Sequence, residues 1–300
     1  MVRPSNFTFN SDTASSNSFQ RGIVGMDEAK LKRSALSEFD AMAATLRSEG
    51  VRVYVVEDTP EPIKPDAVFP NNWITLHQGG TVILYPMFAP NRRHERRLDI
   101  IEILKKFFLI TNLVDFSYYE HERKFLEGTG SIVFDHINRI AYACISPRTD
   151  QEVFIHICEY LQYTPIYFHA YDRQTKQIYH TNVLMSIGDK FSIVCLESII
   201  DGNEKSNVAK SLHKAGHEII EISLEQMHNF AGNMLTLQGG QHTDILVLSQ
   251  NAFNSLTDVQ KRTIGKYSRL LPLVIPTIET IGGGSTRCML AEIFLDENTC

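Results

Sequence analysis

The sequence predicts one α+β domain, residues 1–300, folded as a five-bladed α/β propeller of ββαβ units with pseudo-fivefold symmetry. Three observations carry that expectation. A pattern of hairpin, helix and strand recurs at intervals of roughly 50–60 residues, a period that points to a propeller or array. The last repeat stops after its first strand, so the N-terminal segment must complete it. No low-complexity or Pro/Gly-rich linker divides the 300 residues.

The elements follow in chain order. Met1–Asn10 is assigned to the closing unit. A helix is expected over Met26–Glu49, leading into a strand at Val51–Val56. The first hairpin joins Asn72–Leu76 to Val82–Tyr85 through Gln78, Gly79 and Gly80. The second joins Ser131–Phe134 to Ile140–Ala143, the third Asn182–Ser186 to Phe191–Val194, and the fourth Asn233–Leu237 to Ile245–Leu248. Each is a pair of short apolar runs around a turn rich in Gly, Asp or Asn. A helical stretch follows each hairpin: Arg92–Lys106, Gln151–Leu161, Asn203–Ala215 and Leu256–Leu271, the last entered at Leu256-Thr257-Asp258. Strands such as Pro165–Phe168, Glu218–Ile222 and Leu273–Ile275 then close the units. Cys288–Leu295 supplies the first strand of a fifth unit. Pairing it with Met1–Asn10 would tie both termini into one sheet and leave no open edge.

Bulk properties exclude several functions. Net charge is −6 and charged residues are 21% of the chain, with no basic stripe for nucleic acid. Arg92, Arg93, Arg96 and Arg97 are interleaved with acids and read as a solvated helix face. No run reaches the roughly 18 apolar residues of a membrane span. Met1–Gln20 is polar, unlike a secretory leader. The five cysteines, Cys144, Cys158, Cys195, Cys288 and Cys300, form no CxxC pair. They suggest neither a disulfide framework nor a zinc knuckle, and a cytoplasmic setting is expected.

In a ring, the heads of the first strands converge. Those positions hold Asn71 and Asn72, Glu127 to Gly130, His180 to Asn182, Gly232 and Asn233, and Arg287 with Cys288. A thiol, an imidazole and a carboxylate from three units are thereby brought to one level. Together they can form a thiolate nucleophile, a proton carrier, and a group that orients the imidazole or grips a cationic carbon centre. Gly282-Gly283-Gly284-Ser285 precedes Thr286-Arg287-Cys288 and is expected to be a mobile loop beside the thiol. Arg287 either depresses the thiol pKa or is a surface charge. Asn233 either contacts substrate or caps a strand.

At these residues the sequence resembles the guanidino-group-modifying superfamily of arginine deiminases, dimethylarginine hydrolases and glycine amidinotransferases. The matching segments are Met1-Val2-Arg3-Pro4 with Phe7 and Asn10, Pro65–Trp73, Leu126–Ser131, Tyr179–Val183 and Gly282–Glu292. They look most like the bacterial citrulline-utilisation hydrolases, and the likeness spans nearly the whole chain. The resemblance implies the five-unit propeller known as the pentein fold. It implies that Cys288 attacks the central carbon of a guanidine or urea, that His180 moves protons, and that Glu127 supports His180 or the substrate. It places Asp66 at the substrate's planar end, and Asn71, Asn72 and Asn182 where many relatives carry acids. Neither a metal nor an organic cofactor is implied. The expected partner is a small citrulline- or arginine-like substrate, and a homo-oligomer is compatible with the sequence.

Replacing acids by amides weakens the match to a cationic guanidinium and suits a neutral urea, because an amide both donates and accepts. The expected reaction is therefore hydrolysis of citrulline to ornithine, ammonia and carbon dioxide. The alternatives are an arginine deiminase, an amidinotransferase that needs an amine acceptor, or a non-catalytic binding propeller.

Overall fold

In the computed structural model, residues 1–22 and 27–298 are described. The expected helix start at Met26 and the thiol of Cys300 lie outside them. The fold is mixed α+β. Strands β1 (Val2–Arg3) and β2 (Val56–Glu57) form a parallel pair. Four three-stranded sheets follow among the described residues. The first contains β3 (Ile74–His77), β4 (Thr81–Leu84) and β5 (Asn112–Asp115). The second contains β6 (Ile132–Asp135), β7 (Ile140–Cys144) and β8 (Thr164–Phe168). The third contains β9 (Met185–Ile187), β10 (Phe191–Val194) and β11 (Glu218–Glu221). The fourth contains β12 (Leu235–Gln238), β13 (Asp244–Ser249) and β14 (Arg269–Leu273).

All four share one topology. A hairpin pairs the first two strands antiparallel, and the third strand returns parallel to the second. A parallel return needs a crossover, and helices supply it. Asp150 caps Gln151–Leu161 through the amides of Glu152 and Val153, and Asp201 caps Gly202–Lys214 in the same way. Thr257 and Gln260 form a reciprocal capping box at the start of Asp258–Ile264. The inner faces are apolar. Phe168, Val183, Leu184, Phe191, Ile193, Leu246 and Leu248 share one buried cluster.

Two helices are shorter than the periodicity suggests. In the expected Leu256–Leu271 stretch, the helix stops at Ile264 and Arg269 already belongs to β14, paired with β13. In the expected Arg92–Lys106 stretch, Pro90–Glu95 is a 3₁₀ turn and the α-helix spans only Leu98–Leu104. The solvated-face reading of Arg92 is overturned, because that side chain is buried against Glu95. The strand expected over Val51–Val56 shrinks to Val56–Glu57.

The heads of the first strands are tight helical turns rather than strand ends: Pro70–Asn72, Gly128–Ser131, Thr181–Val183 and Thr286–Met289. Cys288 therefore sits inside a turn. The termini meet by packing, with Val2 and Leu295 in one apolar cluster. The expected ladder between Met1–Asn10 and Cys288–Leu295 is absent among the described residues. Val2 and Arg3 pair with Val56 and Glu57, while Ile293 bridges to Leu76. β6 lies beside β9, and β9 beside β12. A cavity of about 350 Å³ is lined by Asp135, Ser186, Thr236 and Glu292, so the first strands of three sheets and the C-terminal segment face a common space. No described helix is long and apolar enough to cross a membrane.

Candidate active site

The helical turns bring the expected residues together. Glu127 and His180 each stand at the N-cap of a turn. His180 Nε2 lies 2.8 Å from Glu127 Oε2, while the other carboxylate oxygen accepts the Phe88 amide at 3.0 Å. Two glycines make room. Gly128 has φ +45, and a Cβ there would meet the Asn71 carbonyl oxygen at 2.2 Å. A Cβ on Gly130 would fall 2.7 Å from His180 Nδ1 and 2.3 Å from Asn72 Nδ2.

Glu127 is completely buried, and burial by itself would raise its pKa. Arg148, the hydrogen bond to His180, and Arg92 reverse this and hold the carboxyl below the usual carboxylate range. The Arg148 and Arg92 guanidinium nitrogens lie 3.6 and 3.8 Å from Glu127 Oε2. Burial lowers His180 to about 4, against the pull of Glu127. The resting pair is thus a carboxylate and a neutral imidazole. Nε2 then carries the proton that Glu127 accepts, which leaves Nδ1 with a lone pair.

Asp66 and Glu95 complete the charged cluster. Arg92 donates to both oxygens of Glu95 at 2.8 Å and stands 3.6 Å from Asp66 Oδ2. Asp66 Oδ2 also accepts from Asn10 Nδ2 at 2.7 Å. Burial raises the Asp66 pKa, opposed by Arg92, Asn10 and Arg148.

Cys288 has a different setting. Asn233 Nδ2 donates to its Sγ at 3.2 Å and Asn182 Nδ2 at 3.5 Å. Asn233 Nδ2 also donates to the Asn182 carbonyl oxygen at 3.0 Å, and its Oδ1 accepts the Arg287 amide at 3.1 Å. The Arg287 guanidinium is committed to the Leu290 carbonyl oxygen and Glu292. Asn72 donates weakly to the Glu127 carbonyl oxygen at 3.5 Å. Asn71 Nδ2 and Oδ1, Asn182 Oδ1 and Asp66 Oδ1 are buried without a hydrogen-bond partner. Such atoms are costly unless something else pairs with them.

The N-terminal segment packs against these residues and their neighbours. Asn17 Nδ2 reaches the carbonyl oxygens of Gly282 and Gly283 at 3.4 and 3.3 Å, and Arg148 donates to the Thr13 carbonyl oxygen at 3.1 Å. Phe19 packs against Tyr179 and Phe230. The glycine run is not open either: Gly282 and Gly284 are buried against Phe69, Gly283 against Asn17 and Gln20, and Tyr179 Oη donates to the Gly283 carbonyl oxygen at 2.9 Å. The roles of Arg148, Glu95 and Asn17 escaped the sequence reading. A buried arginine has no local signature, and these come from loops whose meeting depends on the whole fold.

A profile of the family described as N,N dimethylarginine dimethylhydrolase, eukaryotic, matches residues 3–295. The chain belongs to that family. It is a member of the guanidino-modifying superfamily and a hydrolase of C–N bonds with a cysteine nucleophile. None of the curated proteins matches the chain. Among solved structures, it is similar to the substrate-bound N-terminal domain of ArgZ, an arginine dihydrolase from the ornithine-ammonia cycle in Cyanobacteria. The TM-score is 0.75 at 16% identity, covering 98% of each chain. Unliganded AgrE gives 0.73 at 16% identity, covering 99% of this chain and 40% of AgrE. A dimethylarginine dimethylaminohydrolase adduct with S-methyl-L-thiocitrulline gives 0.63 at 15% identity, covering 96% of each. At such identities these likenesses establish the fold.

Proposed function

We propose that this protein hydrolyses the terminal ureido group of citrulline to ornithine, ammonia and carbon dioxide, through a covalent adduct on Cys288. The observation that carries the reading is the buried cluster of side chains itself. It sets a thiol against two amides, a neutral imidazole on a carboxylate, and unpaired amide atoms of Asn71 and Asn182 that a planar urea could engage. The Cys288 thiol passes its proton to His180 as the sulfur adds to the ureido carbon. Ammonia leaves with a proton carried by His180, and a thiocarbamate remains. Water, deprotonated by His180, then attacks that carbon and the C–S bond breaks. The released carbamate loses carbon dioxide to give ornithine. Glu127 keeps the imidazole in one tautomer and stabilises its protonated form. Asp66, Asn71, Asn72 and Asn182 bind the planar end of the substrate. Asn233 holds the sulfur, and Arg287 braces the turn that carries it.

We infer also that residues 1–300 form one domain, a five-bladed propeller in which β1, β2 and the C-terminal segment stand for the fifth blade. The four identical sheets and the cavity shared by their first strands support this.

A second reading is hydrolysis of arginine. The buried Asp66 carboxylate favours it, as do the neighbours, one named an arginine dihydrolase and another, AgrE, solved with L-arginine. Comparing kcat/KM for the two substrates decides between them. Higher values with citrulline are expected, and faster use of arginine would overturn the amide argument. Turnover of both all the way to ornithine would make the protein a dihydrolase.

A further inference from the structure

We propose that Glu279 is a positioning residue for Cys288, acting through Ser285; this rests on the reading of Cys288 as the nucleophile. Ser285 occupies the N-cap of the Thr286–Met289 turn in extended conformation. A serine there ordinarily turns its hydroxyl onto the amides of the second or third residue of the turn, here Arg287 or Cys288. Ser285 does not. Its Oγ donates instead to Glu279 Oε1 at 2.6 Å. The two amides are satisfied elsewhere: Arg287 N by Asn233 Oδ1, and Cys288 N by the Ser285 carbonyl oxygen at 3.0 Å. The same Asn233 side chain donates to Cys288 Sγ. Rotation of Ser285 would therefore disturb the turn, its clamp and the sulfur together.

Glu279 is built for this task. It lies in a single π-helical turn, Ile278–Gly282, whose backbone is anchored at both ends. Glu38 accepts the amides of Thr277 and Ile278 at 2.9 and 3.0 Å, and the Glu279 carbonyl oxygen accepts the Gly283 amide at 2.9 Å. π-turns inside helices recur at functional sites. A carboxyl that is 5% exposed, with no cation beside it among the described residues, is expensive to keep. Burial raises it to about 7, opposed by the hydroxyls of Ser249 and Ser285, with Glu38 as the other charge facing it. An apolar side chain would serve packing better, so the carboxyl has a polar task, holding the hydroxyl of Ser285 alongside that of Ser249.

The test is a cycle of Ser285→Ala, Glu279→Leu and the double variant, with Glu279→Gln as the conservative replacement. Two readouts are taken: steady-state kinetics, and the rate of Cys288 alkylation by iodoacetamide at a fixed pH, which needs no turnover. Loss of the brace is expected to lower kcat by about tenfold to a hundredfold with KM little changed, as for a misplaced nucleophile. The alkylation rate at a fixed pH should fall as the amide clamp on sulfur loosens. Ser285→Ala, Glu279→Leu and the double variant should show equal losses, and Glu279→Gln, which still accepts from the hydroxyl, should restore most of the rate. Folded Ser285→Ala with kcat and alkylation like wild type would overturn the proposal, as would losses that multiply in the double variant. If the wild-type protein turns over neither citrulline nor arginine, the proposed function fails, and the alkylation rate still decides this proposal.

Discussion

Around Glu127 each buried charge faces an opposite one, whereas around Cys288 the neighbours are neutral amides. Glu127 lies near Arg148, Arg92 and His180, and Arg92 in turn holds Glu95 in a two-pronged pair. Among the described residues, the thiol receives only the amides of Asn182 and Asn233. The contrast separates two tasks. Charges hold the Glu127 carboxylate ionised, and that carboxylate orients the imidazole that is proposed to carry protons. A sulfur that must become an ester-like leaving group is held by weaker contacts that can follow it. The unpaired atoms of the pocket lie mostly on amides, at Asn71 and Asn182, with Asp66 Oδ1 as the acidic exception. That balance favours a neutral planar substrate with both donors and acceptors.

Breaking the charged side should have the largest effect. Glu127→Gln removes the partner that orients and charges His180, and kcat should fall on the order of 10³–10⁴. Steady-state assays, with circular dichroism to confirm folding, check this. Gly130→Ala drives a methyl into His180 and Asn72, and a loss of about 10² in kcat/KM is expected from misplacement alone. Arg148→Met leaves Glu127 short of a cation and removes one of the donors to the Thr13 carbonyl oxygen. It should cost about 3 kcal/mol in urea unfolding, the scale of a broken buried ion pair. Sharpening the amide side should have a smaller effect. Asn182→Asp and Asn71→Asp should each shift the ratio of arginine to citrulline turnover toward arginine by about tenfold, near 1.4 kcal/mol. An unchanged ratio would remove the amides from specificity.

The smallest effect is on pH stability. The folded His180 refuses a proton until about pH 4, whereas the unfolded ring takes one near 6.5. The unfolded state therefore binds more protons across that window, and native stability drops as pH falls through it. The His180→Gln variant should lose less stability than wild type between pH 6.5 and 4, as read by denaturation midpoints at a series of pH values.

The repeat was legible because alternating apolar runs and turn residues are local signals. β6 and β7 lie where Ser131–Phe134 and Ile140–Ala143 were expected, and Gln151–Leu161 matches to the residue. Helix ends were less legible where tertiary contacts intervene. Arg92 and Glu95 pair into the pocket, and the chain there becomes a 3₁₀ turn instead of an exposed helix. The closing sheet was overestimated because complementary apolar termini do not specify a hydrogen-bond ladder. Cys288, His180 and Glu127 stood out by residue type and position in the repeat. Arg148 could not, since its importance arises from reaching Glu127, Thr13 and Ser16 across separate loops.

The account rests on a covalent step at one sulfur. The most direct test is to quench the protein in acid during turnover of citrulline and map the adduct by peptide mass spectrometry, alongside Cys288→Ala. The account predicts a transient thiocarbamate on the peptide containing Cys288, and neither adduct nor ornithine from the variant. Ornithine formation by Cys288→Ala at the wild-type rate, with no modified cysteine in either protein, would contradict it.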